Sequence, residues 1–129
     1  MKPAGYVLLI AGSRRFNNYQ VFSEGMKIVT ERWGLPMQVV SGGAPGVDTL
    51  AVEWAMWAQI PMASFPAEWQ KYGRAAGPKR NTIMVKKADK VVAFVDDQSV
   101  GTWDTINKTK KQKGKDLIIF KVEEIKSLQ

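Results

Sequence analysis

Five short apolar runs recur along the 129-residue chain, and stretches with helical spacing separate them. No other feature limits the fold as much. The runs Tyr6–Ala11, Met37–Val40, Met62–Phe65, Lys90–Val95 and Asp116–Val122 read as buried strands. The first intervening helix spans about Tyr19 to Trp33, with Phe22, Met26, Val29 and Trp33 spaced by four, three and four. Asn17 or Asn18 would cap it, and Gly34 with Pro36 would stop it. The second carries Val47, Leu50, Ala51, Trp54, Ala55 and Ala58 on one stripe and ends at Ile60-Pro61. Residues 66–77 read as a loop, and Pro78 suits the first turn of a helix reaching about Lys87. Thr102 to Lys113 reads as a lysine-rich helix closed by Gly114, and Glu123 to Gln129 as a last helical turn.

Strands that alternate with helices imply a parallel sheet covered on both faces. Right-handed crossovers leave few topologies, and the commonest is a Rossmann-like α/β sheet of order 3-2-1-4-5. One domain over residues 1–129 is expected from the length. In this order the chain switches direction between the first and fourth strands. Ligands bind outside the carboxyl ends of strands at such a point. The loops after strands one, two and four are therefore the ones that matter.

Composition removes whole classes of chemistry. There is no cysteine and no histidine. Disulfides, His- or Cys-based zinc sites and Ser-His-Asp or Cys-His nucleophile systems are excluded. Catalysis would need carboxylates, Lys, Arg, hydroxyls or a metal carried by the ligand. No stretch nears the roughly 20 apolar residues of a membrane span, so no membrane partner and a cytoplasmic location are expected. The net charge of +7 lies in the second half: residues 1–69 carry five basic and five acidic side chains, residues 70–129 carry 14 and 7. Such a half points to an anionic partner or to a solvated surface. Five Trp and six Met leave apolar surface that could pack a homodimer or higher oligomer.

Four segments could carry chemistry. Gly12-Ser13-Arg14-Arg15-Phe16 follows the first strand and offers close backbone approach, a hydroxyl and a guanidinium fork; the alternative is a tight turn with exposed arginines. Ser41-Gly42-Gly43-Ala44-Pro45-Gly46-Val47-Asp48 follows the second strand and opens the strongest helix. Backbone N–H groups at such a turn bind anions. The segment matches neither a Walker A loop nor a G-x-G-x-x-G fingerprint. Asp48 could act chemically or simply complement the helix dipole. After the fourth strand, Asp96 and Asp97 could hold Mg²⁺, or be solvated, before Gly101-Thr102 opens a helix. Lys79-Arg80-Asn81 could meet phosphate and read a base or ribose. Trp54 and Trp57 read as packing residues, whereas Trp69 and Tyr72, in the long loop, could stack on a ligand as a lid.

Ala11-Gly12-Ser13-Arg14 and Ser41 through Ala51 together resemble the SLOG superfamily, which groups the DNA-processing protein DprA with the "lonely guy" phosphoribohydrolases. Phe65-Pro66-Ala67-Glu68-Trp69, Tyr72-Gly73, Ala76 through Asn81, Phe94 and Gly101-Thr102 resemble its YspA-type branch, small proteins of bacteria and their phages. The resemblance spans about residues 6 to 120. It implies a Rossmann-like fold and a nucleotide-related ligand held by the Gly12–Arg14, Gly42–Asp48, Arg80–Asn81 and Gly101–Thr102 segments. The lonely guy enzymes continue their second glycine turn as Gly-Thr-x-x-Glu, with a catalytic glutamate. Here Thr105 stands at that place, and Asp104 lies about 100° away around the helix.

Three functions compete. The first is binding of a nucleotide or a nucleotide-derived, ADP-ribose-like small molecule, as sensor or sequestering protein. It requires no cofactor, although Mg²⁺ could accompany a phosphate ligand, and the protein itself is expected to hold no metal. The second is hydrolysis of an N-glycosidic bond, with Asp48 or Asp104 as the carboxylate. The third is DprA-like nucleic-acid binding, which the basic half favours and the lack of aromatics among Lys108–Lys115 disfavours.

Overall fold

The computed structural model describes residues 4–97 and 99–123. Its elements run β1 (Ala4–Gly12), α1 (Tyr19–Trp33), β2 (Pro36–Ser41), α2 (Val47–Ala58), β3 (Met62–Ser64), α3 (Trp69–Tyr72), a 3₁₀ turn (Gly73–Ala75), α4 (Ala76–Lys87), β4 (Lys90–Val95), α5 (Val100–Lys111) and β5 (Asp116–Lys121). The five strands form one sheet in the order β3-β2-β1-β4-β5. All four strand pairs are parallel. This is the Rossmann-like α/β arrangement expected from the alternation of apolar runs.

Burial follows the two-residue period of the strands. Leu8 and Ile10 of β1 and Val92 and Phe94 of β4 join one core with α1 and α2. Leu9 of β1 and Val91 of β4 pack with Met84 and Val85 of α4 on the opposite face. Ala93 and Val95 meet Ile106 of α5 there. Each central strand is thus apolar on both sides, as a covered parallel sheet requires. Phe94 is fully buried, with ring centroids 4.8 Å from Phe22 and 5.2 Å from Phe120.

Local signals set the helix ends. Asn18 caps α1, its Oδ1 accepting the Val21 N–H at 3.1 Å, and Gly34 ends it at φ 80°. Helix α2 stops at Gln59, a non-glycine residue held at φ 58°.

The expectations for residues 66–77, the bounds of α5 and Trp57 need correction. Residues 66–77 are not a continuous loop: α3 and the 3₁₀ turn occupy 69–75, and α4 begins at Ala76. Helix α4 holds Pro78 in its first turn and reaches Lys87, as expected; the missing N–H of Pro78 is not needed there. Helix α5 begins at Val100 and ends at Lys111, before Gly114. Trp54 is buried at 3% exposure, but Trp57 is 76% exposed and is not a packing residue, since the last turn of α2 meets the core through Ala55 and Ala58 instead. Most of the expected final helical turn, 123–129, lies outside the described residues.

Candidate functional site

The switch point lies between β1 and β4, and the first loop is anchored there. The Ser13 N–H donates to the Phe94 carbonyl at 3.0 Å, so the end of β4 fixes where the chain leaves β1. A Cβ at Gly12 would lie 2.6 Å from Val47 Cγ2 and 2.7 Å from the Phe94 carbonyl, so only glycine fits between β4 and α2. Gly46 binds the first two loops together. It sits at φ 79°, and a side chain there would strike the backbone of Ser13 and Arg14. The next residue, Val47, donates its N–H to the Ser13 carbonyl at 3.1 Å.

The loop after β4 is tied to the same point. The Ser13 hydroxyl donates to Asp96 Oδ2 at 2.5 Å, and the Ser99 hydroxyl donates to Asp96 Oδ1 at 2.9 Å. Ser99 in turn accepts the Asp96 N–H at 2.9 Å. Asp96 therefore clamps the loops after β1 and β4. Among the described residues no group of three or more carboxylate, His or Cys side chains could hold a metal ion.

These loops surround a cleft of about 360 Å³ at the carboxyl ends of β1, β2 and β4. Its wall includes Gly12, Ser13, Arg14, Gly42, Ala44, Asp48, Arg80, Asn81, Gly101 and Thr102, all singled out in the sequence. Ser41, Gly43 and Gly46 are not on the wall. Ser41 is fully buried beneath the turn, with its carbonyl accepting the Phe65 N–H at 2.8 Å. Gly43 is exposed at φ 73°, so its part is to let the turn form. Gly46, as described, is packed against Ser13 and Arg14.

Arg15, Ser99 and Val100, within the candidate loops, also line the cleft, as do Met84 and Thr105. Met84 was not anticipated and could have been read from its helical spacing to Arg80 and Asn81. Thr105, at the position of the glutamate in the lonely guy pattern, is buried and faces the cleft.

Three arginines share this wall in two different settings. Arg14 and Arg15 are exposed. Arg80 is half-buried and pre-set: Nη1 donates to the Gly42 carbonyl at 2.7 Å and to the Phe65 carbonyl at 3.4 Å, and Nε donates to Asn81 Oδ1 at 3.0 Å. Burial lowers its pKa from the ordinary value, Asp48 opposes that shift, and Arg14 adds to it; a guanidinium stays charged at neutral pH regardless. Gly42 must be small because Arg80 and Asp48 crowd it from both sides.

Asp48 lies in the first turn of α2 and is buried. Its Oδ2 accepts the Ala44 N–H at 2.9 Å. Burial pushes the carboxyl up to about 6, against the lowering pull of the Ala44 amide, Arg80, the Ser41 hydroxyl and Arg14. A carboxyl that changes charge near pH 6 while facing a cleft is the kind of group that active and binding sites hold.

Asn81 and Asp104 differ from their expected roles. Asn81 is 5% exposed, and its amide is already engaged. Its Oδ1 takes Arg80 Nε, and its Nδ2 donates to the Gly101 carbonyl at 3.3 Å and to Asp104 Oδ2 at 3.0 Å. It holds Arg80 and the start of α5 in place while lining the cleft. Asp104 is not on the cleft wall. It also accepts Lys108 Nζ at 2.7 Å. Burial raises its pKa, but the hydrogen bonds from Lys108 and Asn81, with the charges of Lys108 and Lys111, outweigh that and hold the carboxyl below its ordinary value.

The lid expectation also changes. Trp69 leans on α4, where a Cβ at Gly77 would lie 3.2 Å from its ring. Tyr72 lines a second cleft, of about 240 Å³, instead of the first.

An open parallel α/β sheet with its cleft at the switch point defines the Rossmann-like α/β class. The model of the YspA, cpYpsA-related SLOG family (YAcAr) matches residues 6–72, from β1 through α3, and the chain belongs to that family. It is also similar to the Gene 61 protein of Mycobacterium phage D29, at 32% identity over 111 residues, covering 81% of this chain and 88% of that protein. Arg80, Asn81, Gly101 and Thr102 lie beyond the family match, and the fold brings them to the cleft. No helix among the described residues is long and apolar enough to cross a membrane.

Proposed function

We propose that the first cleft binds the phosphate and ribose of a nucleotide or nucleotide-derived small molecule, with the protein acting as a sensor or sequestering module. The observation that carries this reading is the convergence of Arg14, Arg15 and Arg80 with the openings of α2 and α5 in one cleft. Guanidinium forks and helix starts both favour phosphate oxygens. The volume, about 360 Å³, suits a small organic ligand. Family membership points the same way, toward a nucleotide-related ligand. Mass spectrometry of small molecules carried through purification, followed by calorimetric titration of those found, tests the reading. Recovery and binding of a ribose-phosphate compound supports it; failure of the whole nucleotide panel to bind sinks it.

Asp48 favours a second reading, N-glycosidic hydrolysis. Its buried carboxyl faces the cleft and titrates near 6, a range in which a carboxyl can serve as general acid or base. Thr105 cannot supply the negative charge that the lonely guy glutamate gives, so turnover is expected to be slow. Incubation with nucleoside monophosphates, with and without Mg²⁺, and chromatography for free base decides between the readings. Multiple turnovers abolished by Asp48→Asn and untouched by Asp104→Asn would establish hydrolysis.

A further inference from the structure

The first cleft has a chemical gap. Among the described residues its wall is made of guanidinium, hydroxyl, amide, carboxyl and small aliphatic groups, and it includes no aromatic ring. That wall suits a sugar phosphate and offers a flat base guanidinium planes but no ring to stack on. The second cleft has the opposite character. Phe65, Tyr72, Pro66 and Ile83 line it, with the charged Glu68 and Lys79 beside them.

Arg80 lines both clefts. The Gly42 carbonyl belongs to the turn of the first cleft and the Phe65 carbonyl to the wall of the second, and Arg80 Nη1 donates to both. The guanidinium is therefore the partition between a polar chamber and an aromatic one. A ligand with an anionic part and a planar part can lie across it.

We propose that the second cleft is the base subsite of the same ligand: the planar ring packs against Tyr72 and Phe65, the phosphate meets Arg80, and the sugar phosphate fills the first cleft. This rests on the reading of the first cleft given above. Both rings are covered by flexible ammonium groups. Lys79 and Lys71 lie 4.8 and 5.0 Å from the centroid of Tyr72, and Lys87 lies 5.5 Å from that of Phe65. All three lysines are exposed. An exposed cation–π contact is weaker than a stacked base, so an entering base displaces them. Tyr72 and Ile83 are themselves partly exposed and contribute little to the core, which makes them safe to change.

The test uses two kinds of probe, ribose 5-phosphate and the four common nucleoside 5′-monophosphates, titrated calorimetrically into the parent protein, Tyr72→Ala and Ile83→Ser. The parent should bind at least one nucleotide about tenfold or more tightly than ribose 5-phosphate. Each variant should erase that advantage and leave ribose 5-phosphate unchanged. Tyr72→Trp should keep it. If nucleotides and ribose 5-phosphate bind the parent equally, the base subsite is overturned while the first cleft stands. The same holds if the variants retain the nucleotide advantage or lose both probes in parallel. If no probe binds the parent at all, the reading of the first cleft fails and the subsite fails with it.

Discussion

Helices α2 and α5 both open from glycine-containing turns at the same cleft, yet the two openings are built on different principles. At α2 the turn is locked: Gly46 sits at positive φ with the Ser13–Arg14 backbone against it, and Asp48 is buried with its carboxyl raised to about 6. At α5 the glycine itself is loosely packed: Gly101 is the second residue of the helix and a Cβ there would meet nothing within 4 Å, while Asn81 and the Asp96–Ser99 hydrogen bonds anchor the helix start. Its carboxylate, Asp104, is turned to Lys108 and Asn81 and held below its ordinary value. The α2 opening keeps an uncomfortable charge at the cleft, whereas the α5 opening neutralises its charge away from it. Strain and an unfavourable ionisation collect where a site needs them.

The largest effect should come from breaking the locked turn. Gly46→Ala adds a positive-φ penalty of about 1–2 kcal/mol to an overpacking cost of about 1–3 kcal/mol, and should lower stability by about 2–5 kcal/mol in denaturant unfolding. An unchanged midpoint would show that the contact between the two loops is not constraining.

Asp48 comes next. Its folded pKa of about 6 lies above the ordinary 3.8. The associated stability is fully present below about pH 4 and is lost as pH rises through 6. The gap corresponds to at most about 3 kcal/mol. Asp48→Asn should therefore be more stable than the parent at pH 8, with the difference vanishing near pH 4. A parent stability that does not fall between those limits would contradict the burial argument.

At the α5 opening the effects are smaller and of opposite kind. Gly101→Ala should stabilise the fold by about 0.5–1 kcal/mol, because it restricts the unfolded chain and meets open space. Gly101 lines the cleft, so the same variant should bind nucleotide less well. Stability gained without loss of affinity would separate this turn from the ligand. Asp104→Asn should cost less than about 1 kcal/mol at neutral pH, since the Lys108 pair is partly solvated and salt-screened. With a lowered folded pKa, its stability contribution is present above the ordinary 3.8 and disappears as pH falls through the folded value. Melting curves at two salt concentrations and two pH values check this.

The sheet was legible in the sequence because each strand is a short apolar run and each long helix repeats its apolar side chains at fixed spacing. Those signals are local. The cleft was legible as far as it depends on glycine turns and arginines placed after strands, as with Gly12, Arg14 and Gly42. What escaped depends on which neighbour a side chain meets. Asn81 reads as an exposed polar group, yet the start of α5 and Arg80 use up its amide. Trp57 lies one turn from the buried Trp54, but the helix turns it to solvent while Ala55 and Ala58 meet the core. Residues 66–77 are rich in glycine and aromatics and read as a flap. Trp69 against Gly77 instead draws the segment into short helices leading to α4.

The most direct test of the central claim is affinity for the ribose-phosphate ligand recovered with the protein, measured on the parent, Arg14→Ala and Arg80→Ala. Charge-assisted hydrogen bonds to phosphate are worth about 1.5–3 kcal/mol, so each variant should bind roughly tenfold to a hundredfold more weakly while circular dichroism shows the fold intact. Undiminished affinity in both folded variants would remove the guanidinium groups from the site and contradict the account.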